Sequence, residues 1–281
     1  MTLTHYTCTN CGFWQEYFAE PPACPVCSDV RNALPENGWK FVSEAEMNER
    51  ERRGEVKCLW REIDERIWMF SNETPLGIGS SGYLIERETG NIVFESPGWW
   101  TRGAIEFIDS RGGIRFFSSS HPHGFGAIWQ LEENFPGATI AFQREAVQFT
   151  KALRVNFVFD DVLAIDEAAT LYHIGGHYEG QSVLYYAPRE ILFCGDALKF
   201  DLDADGKTVA ISCHKAFHKQ IPLSKREIEN YLQVIGGLNF RQACTPFEHC
   251  RDATTADAVR LFEEQLASHR TTATPMPLAR V

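Results

Sequence analysis

Long apolar runs are missing from this chain. No stretch of its 281 residues approaches the roughly 20 needed to cross a bilayer, and no basic segment followed by a short apolar run opens it. The expectation is a protein neither membrane-spanning nor secreted, hence cytoplasmic. Positive charge is scarce as well: 27 Lys and Arg against 38 Asp and Glu leave a formal net charge of −11, with no cluster of basic residues. Phosphate backbones and anionic lipid surfaces need such clusters, so neither nucleic acid nor membrane is an expected partner. An even cysteine count is absent too. Nine cysteines, four of them in metal spacing, fit a reducing compartment better than a disulfide framework. Cys58, Cys194, Cys213, Cys244 and Cys250 then read as ordinary buried or partly buried thiols. There is no low-complexity block and no evident internal repeat.

What is present begins near the N-terminus. Cys8 and Cys11 in CTNC, and Cys24 and Cys27 in CPVC, form two knuckles separated by twelve residues. Each CxxC turn offers two sulfurs on one side of a tight loop, and two such turns supply a tetrahedron of thiolates. Residues 1–45 hold too little periodic apolar sequence for a core of their own, so metal binding is expected to supply their folding free energy. The charged stretch from Ser43 to Val56 reads as a solvated helix or linker, placing a linker segment at 46–65.

Strand and helix patterns alternate beyond that segment. RIWMFS reads as a strand, GYLIERETGNIVFES as a hairpin turning at ETGN, and IRFFSSS as a strand between the helix-like TRGAIEFIDS and GAIWQLEENF. ATIAFQ, VLAI, ATLYHI, QSVLYYAP, EILFC and RQACTP read as further strands; REAVQFTKAL, SKREIENYLQVIGGL and residues 252–267 read as helices. This alternation predicts an α/β domain over 66–270, followed by a flexible tail at 271–281. The chain is long enough for one such domain and a small attached module.

Five residues with metal-ligand chemistry each follow a short apolar run: His121 and His123 in SSSHPHGFG, His177 in HIGGHYEG, Asp196 in FCGDAL and His249 in TPFEHC. One histidine at a strand end is more often a packing or surface residue, but five such groups together point to a metal. His173 reads as a packing or near-ligand group, and His214 and His218 as surface or pocket-mouth residues one helical turn apart. DLDADG imitates the start of a calcium loop, yet its twelfth position is Ser212 where a bidentate glutamate is needed, so it reads as a polar turn. Trp99 and Trp100 read either as walls of an apolar substrate pocket or as packing residues.

In the order HPH, GGHYEGQSVLYY, LFCGD and a last histidine after a strand, residues 66–270 resemble the metallo-β-lactamase superfamily. The resemblance implies an αββα sandwich with metal bound at the edge where the loops of two sheets meet. It implies a first site at His121, His123 and His177, with Asp196 at the place of the bridging carboxylate and His249 as the last ligand of a second site. The family's HxHxDH pattern is incomplete here, because its aspartate and final histidine fall on Phe125 and Gly126, which cannot coordinate. Phe125 is then grouped with Trp99 and Trp100 as a substrate-binding candidate, and one ion is expected at this site. Persulfide dioxygenases of the same superfamily resemble the chain in the subset His121, His177 and Asp196, which there holds one iron. The N-terminal knuckles, with Gly12 after Cys11 and Pro25 inside the second, resemble both the rubredoxin-like domain of rubrerythrins and a structural zinc ribbon. Zinc or iron is thus implied at each site.

Three functions follow. The first is a single-metal hydrolase acting on a small-molecule ester, lactone or thioester, with Asp196 as the catalytic carboxylate. The alternative is a mononuclear non-haem iron oxidoreductase or dioxygenase served by a rubredoxin-like electron-transfer module. The third is a non-catalytic metal-binding member of the fold. The hydrolase ranks first on the prior of the fold, although a fold does not by itself determine chemistry.

Overall fold

The computed structural model describes residues 2–278. Contacts divide the chain into two units, Met1–Phe142 with Ala146–Val158 and Gln143–Glu145 with Phe159–Val281.

In the first unit, β1 (Thr4–Cys8), β2 (Trp14–Tyr17) and β3 (Phe41–Ser43) form an antiparallel sheet of order β2-β1-β3. The first knuckle hangs from the end of β1. Its turn is closed by Gly12 N–H donating to the Cys8 carbonyl at 2.8 Å and Cys8 N–H donating to the Phe13 carbonyl at 2.9 Å. Helix α1 (Glu44–Arg52) starts at a capping box in which Ser43 and Glu46 satisfy each other's backbone N–H groups. Its charges are not all solvated: Glu51 accepts from Trp99 Nε1 at 2.6 Å and from the Arg102 N–H at 2.7 Å.

A larger sheet starts inside the segment expected to be a linker. Residues 59–62 of β4 (Cys58–Asp64) are all exposed, so no alternation betrays the strand. It is an edge strand paired with β5 (Ile67–Asn72). With β6 (Ser81–Ile85), β7 (Ile92–Phe94), α2 (Arg102–Ser110), β8 (Phe116–Ser118), α3 (Ile128–Asn134), β9 (Thr139–Gln143) and β10 (Phe157–Phe159), the sheet has the order β10-β9-β8-β7-β6-β5-β4. Pairing is antiparallel from β4 to β7 and parallel at β7–β8 and β8–β9, where α2 and α3 supply the crossovers that parallel neighbours require. The helix expected over 144–153 is a 3-10 stretch at Arg144–Phe149, beyond which Thr150 Oγ1 turns back to donate to the Val147 carbonyl at 2.7 Å.

The boundary expected at residue 45 is a change of element and not of core. One buried cluster runs from Cys8, Phe13 and Trp14 to Trp99, Trp100 and Trp129. The Trp14 ring lies 5.7 Å from Trp99 and 5.4 Å from Trp129, its Nε1 donates to the Gly98 carbonyl at 3.0 Å, and His5 stacks on Trp129 at 3.8 Å. Backbone meets backbone at Gly77, which has a φ of +61° and where a Cβ would stand 2.1 Å from the Gly12 nitrogen and 2.3 Å from the Cys11 carbonyl carbon. Only glycine combines that φ with that approach.

The second unit holds β11 (Val162–Ala164), β12 (Ala169–His173), β13 (Ser182–Tyr186), β14 (Ile191–Phe193), β15 (Lys199–Leu202), β16 (Thr208–Ser212), α4 (Lys225–Val234), β17 (Gln242–Cys244), β18 (His249–Cys250), α5 (Thr255–Ala267) and β19 (Met276–Pro277). Its main sheet has the order β11-β12-β13-β14-β17-β18 and is antiparallel except at β14–β17. Both helices begin at capping boxes, Ser224 with Glu227 and Thr254 with Asp257. DLDADG is the turn between β15 and β16, where Asp203 Oδ1 accepts from the N–H groups of Asp205 and Lys207 at 2.9 Å. The tail expected to be flexible is ordered through 278: β19 pairs with β16, and Met276 and Leu278 are buried because their apolar side chains complete the core of this unit. Residues 279–281 lie outside the described residues. Among the described residues no helix is long and apolar enough to cross a membrane.

Candidate metal centres

The two knuckles bring the Sγ atoms of Cys8, Cys11, Cys24 and Cys27 within 4.8 Å of one another. Cys8 and Cys27 are 3.8 Å apart, and Cys11 and Cys24 3.6 Å. Four sulfurs at about 2.3 Å from one ion lie about 3.8 Å apart along a tetrahedron's edges, whereas a disulfide needs about 2.05 Å. The spacing is that of a metal site. All four side chains are buried, and Asn10 Nδ2 donates to Cys27 Sγ at 3.2 Å. Hydrogen bonds led by the one from Cys11 hold Cys8 and Cys27 below the ordinary thiol value, while the same network and burial push Cys11 and Cys24 above it.

In the same unit, β8 ends at Ser118, and the carboxyl end of this parallel strand delivers Ser119, Ser120 and His121. A 3-10 turn over Pro122–Gly124 follows, setting the His121 and His123 rings 5.4 Å apart at right angles. His121 is fully buried and His123 partly so. Ser120 Oγ lies 2.7 Å from His121 Nδ1. Behind that serine is Glu95, 1 % exposed, whose carboxylate accepts from Ser119 Oγ, Ser120 Oγ and, at 3.3 Å, the Ser120 N–H. Burial raises the Glu95 carboxyl, opposed by His121 and by the serine hydrogen bonds. Arg31 donates to both oxygens of Asp29, at 2.8 and 2.7 Å, and holds that carboxyl below the usual range, with a smaller contribution from His123.

The second unit places His177 in the loop after β12 and Asp196 in a 3-10 turn directly after β14. His177 Nδ1–H donates to the His214 carbonyl at 3.2 Å, which puts the lone pair on Nε2. That nitrogen faces Asp196 Oδ2 at 3.6 Å, with both side chains less than 10 % exposed. The gap is too long for a hydrogen bond. Nitrogen and oxygen ligands about 2.1 Å from one tetrahedral ion lie about 3.4 Å apart, so the pair fits a shared ion. Beside the four cysteines, the metal-capable groups among the described residues are His121 and His123 in the first unit and His177 and Asp196 in the second.

His249 is not a member of that set. Standing on β18, it donates from Nε2 to Gln242 Oε1 at 2.8 Å, so coordination by it would fall to Nδ1. Trp99, Trp100 and Phe125, the candidate substrate-binding residues, are 1, 1 and 2 % exposed and belong to the core of the first unit. Trp100 Nε1 donates to Ser96 Oγ at 2.8 Å, and the Phe125 ring meets that of Phe142 at 4.8 Å. Their burial supports packing and leaves no face on them for a substrate. His173 donates from Nε2 to the Glu179 carbonyl at 2.7 Å, and His218 is exposed. The remaining five cysteines are buried; burial pushes Cys58, Cys213 and Cys250 up to about 12 and Cys194 well above its ordinary value.

The sequence shows no sign of one contributor, Glu95, and reads another, His214, as a surface or pocket-mouth residue. Glu95 is a lone acid, marked only by following the apolar IVF and preceding Pro97 and Gly98. His214 is 6 % exposed: its Nε2 pairs with Ser212 Oγ at 2.9 Å, its Nδ1 has no hydrogen-bond partner, and burial, aided by Lys199, pushes it below the usual imidazole value.

No model of a known protein family matches the chain. It is 22 % identical over 272 residues to the uncharacterized protein YmaE of Bacillus subtilis (strain 168), covering 93 % of this chain and 97 % of that one. Among solved structures it is similar to the metallo-β-lactamase FIM-1 of Pseudomonas aeruginosa in its mono-zinc form, with a TM-score of 0.55 and 13 % identity over 76 % of this chain and 98 % of that one. It is similar to a metallo-β-lactamase from Pontibacter korlensis, with a TM-score of 0.53 and 15 % identity over 74 % of this chain and all of that one. The metal-soaked Flv1 flavodiiron core of Synechocystis sp. PCC6803 aligns with a TM-score of 0.55 and 14 % identity over 75 % of this chain and 61 % of that one.

Proposed function

The chain has the metallo-β-lactamase fold with a four-cysteine centre at its N-terminal end, and from that premise we propose a single-metal hydrolase acting on the carbonyl of a small-molecule ester, lactone or thioester. The observation that carries the metal reading is the His177–Asp196 pair: a lone-pair nitrogen and a carboxylate oxygen, both buried, at the spacing of two ligands on one ion. His121 and His123 are the proposed further ligands, in the order the family uses. When bound, a zinc ion there supplies Lewis acidity and lowers the pKa of a water to near neutrality.

The protein's own groups do the rest. His177, held by the His214 carbonyl, and His121, held by Ser120, present fixed nitrogens. Asp196 is the group that orients the attacking water and accepts its proton at Oδ, since Phe125 occupies the position where the family carries another carboxylate. The four-cysteine centre is read as structural, because four thiolates leave no open position for a substrate. The test is turnover on panels of esters, lactones and thioesters, with metal-free protein as the control. Metal-dependent hydrolysis lost in Asp196→Asn is expected; inactivity across all three classes in the metal-loaded protein overturns the hydrolase.

A second reading has its own observation in favour. The chain carries a separate cluster of four thiolates, and a metal-soaked flavodiiron core is among the solved structures it is similar to. On this reading the four cysteines would hold one iron suited to electron transfer, and His121, His177 and Asp196 would hold another that supplies the redox chemistry of a mononuclear oxidoreductase. Element analysis separates the readings: iron at both sites after anaerobic purification favours the redox enzyme, and zinc at both favours the hydrolase.

A further inference from the structure

Glu95 has an odd position for a residue on no ligand motif. It follows β7 with a φ of +61°, a left-handed conformation unfavourable for a glutamate, and its side chain is buried. The HPH turn is folded over it: the Ser96 N–H donates to the Gly124 carbonyl at 3.0 Å, and a Cβ on Gly124 would stand 1.8 Å from Glu95 Oε2. Three donors meet the carboxylate, from Ser119 Oγ, Ser120 Oγ and the Ser120 N–H.

Resting on the metal reading above, we infer that Glu95 is a positioning residue for the proposed ligand His121, acting through Ser120 to hold it in the tautomer and direction that let Nε2 bind an ion. The proton count carries this. Ser120 has one hydroxyl hydrogen and two neighbours, Glu95 and His121 Nδ1. A carboxylate only accepts, so it takes that hydrogen, and Ser120 Oγ is left to accept from His121. The imidazole hydrogen therefore sits on Nδ1 and the lone pair on Nε2. A glutamine at 95 can donate to Ser120 instead, which frees the serine hydrogen for Nδ1 and places the imidazole hydrogen on the coordinating nitrogen. His177 needs no such relay, because a backbone carbonyl sets its tautomer.

The test is a zinc(II) titration of the full-length protein against a chromogenic chelator, with element analysis of the products. Glu95→Gln and Ser120→Ala each weaken one equivalent of zinc by about 10–100-fold, the range for lost partners of a ligating histidine, while the cysteine-bound equivalent is retained and reports folding. Ser119→Ala, which touches Glu95 but not His121, stays within about threefold of wild type, separating positioning from general support of the turn. Unchanged affinity in Ser120→Ala overturns the inference, and that variant also decides if Glu95→Gln does not fold. Failure of the underlying metal reading looks different: wild type then binds a single equivalent, lost on replacing Cys24.

Discussion

The four-cysteine centre and the His177–Asp196 pair both set ligand atoms at the edge length of a tetrahedron, by opposite means. In the cysteine centre the two members of each knuckle are three residues apart, so a local turn does most of the work. His177 and Asp196 are nineteen residues apart, with β13 and β14 between them, and their 3.6 Å spacing is a product of sheet register and of two loops. The consequences of damage differ accordingly. The cysteines lie in one continuous core with Trp14, Trp99 and Trp129, so losing their ion loses packing; losing the ion of the pair leaves a sheet that is already hydrogen-bonded.

The strongest way to break this comparison is Cys24→Ser. Structural zinc binding is worth about 10–16 kcal/mol in small metal-folded domains, more than the whole stability of most domains, about 5–15 kcal/mol. The first unit is expected to unfold, seen as a red shift of tryptophan emission and loss of the near-ultraviolet dichroism; a wild-type Tm would show the centre to be an ornament. Gly77→Ala tests the seat of the first knuckle without touching a ligand. Its positive φ and the backbone contact at Gly12 predict a loss of at least about 2 kcal/mol, or roughly 4–8 °C in Tm.

Asp196→Asn addresses the other side. One metal equivalent is expected to weaken at least about tenfold, with the cysteine-bound ion kept and the stability within about 1 kcal/mol of wild type; retention of both ions at full affinity would remove Asp196 from the site. His214 gives a smaller, pH-dependent effect. Its folded pKa lies below the unfolded value of about 6.5, so the unfolded chain binds a proton the native one refuses. The stability it contributes is complete above about pH 6.5 and is lost as pH falls through the folded value. His214→Gln should lose less Tm than wild type between about pH 7.5 and about pH 5.5; equal losses would assign the acid limb elsewhere. Smallest of all is His249→Gln, expected to change zinc content by less than about a tenth, because His249 is not among the clustered ligand groups. Loss of an equivalent there would restore it as a ligand.

Legibility followed the range of the interaction. The CTNC and CPVC knuckles and the strand before HPH are written in neighbouring residues, and the structure places each where its spacing leads one to look. Helix α2 and the β6–β7 hairpin were equally plain. β4 was not, since an edge strand with four exposed residues in a row carries no period. The strand at Met276 was hidden for a related reason: two residues become a strand only because β16 offers them an unpaired edge. Trp99 and Trp100 could be read as pocket wall or as core from sequence, and their neighbours decided for core. Glu95 was invisible because its partners, Ser119 and Ser120, lie more than twenty residues away.

From sequence alone came the fold class, by resemblance, the four cysteines, the donors His121, His123, His177 and Asp196 with His249 named beside them, and the incomplete second half of the HxHxDH pattern, because order and local spacing of donors are properties of the chain. Tertiary structure alone decided that residues 1–45 share a core with the sheet that follows. It also decided that Glu95 sits behind His121 and that the His214 carbonyl sets the tautomer of His177. Those depend on which buried surfaces and hydrogen-bonding groups meet after folding, and burial and proton placement are settled by contacts between segments that the sequence keeps far apart.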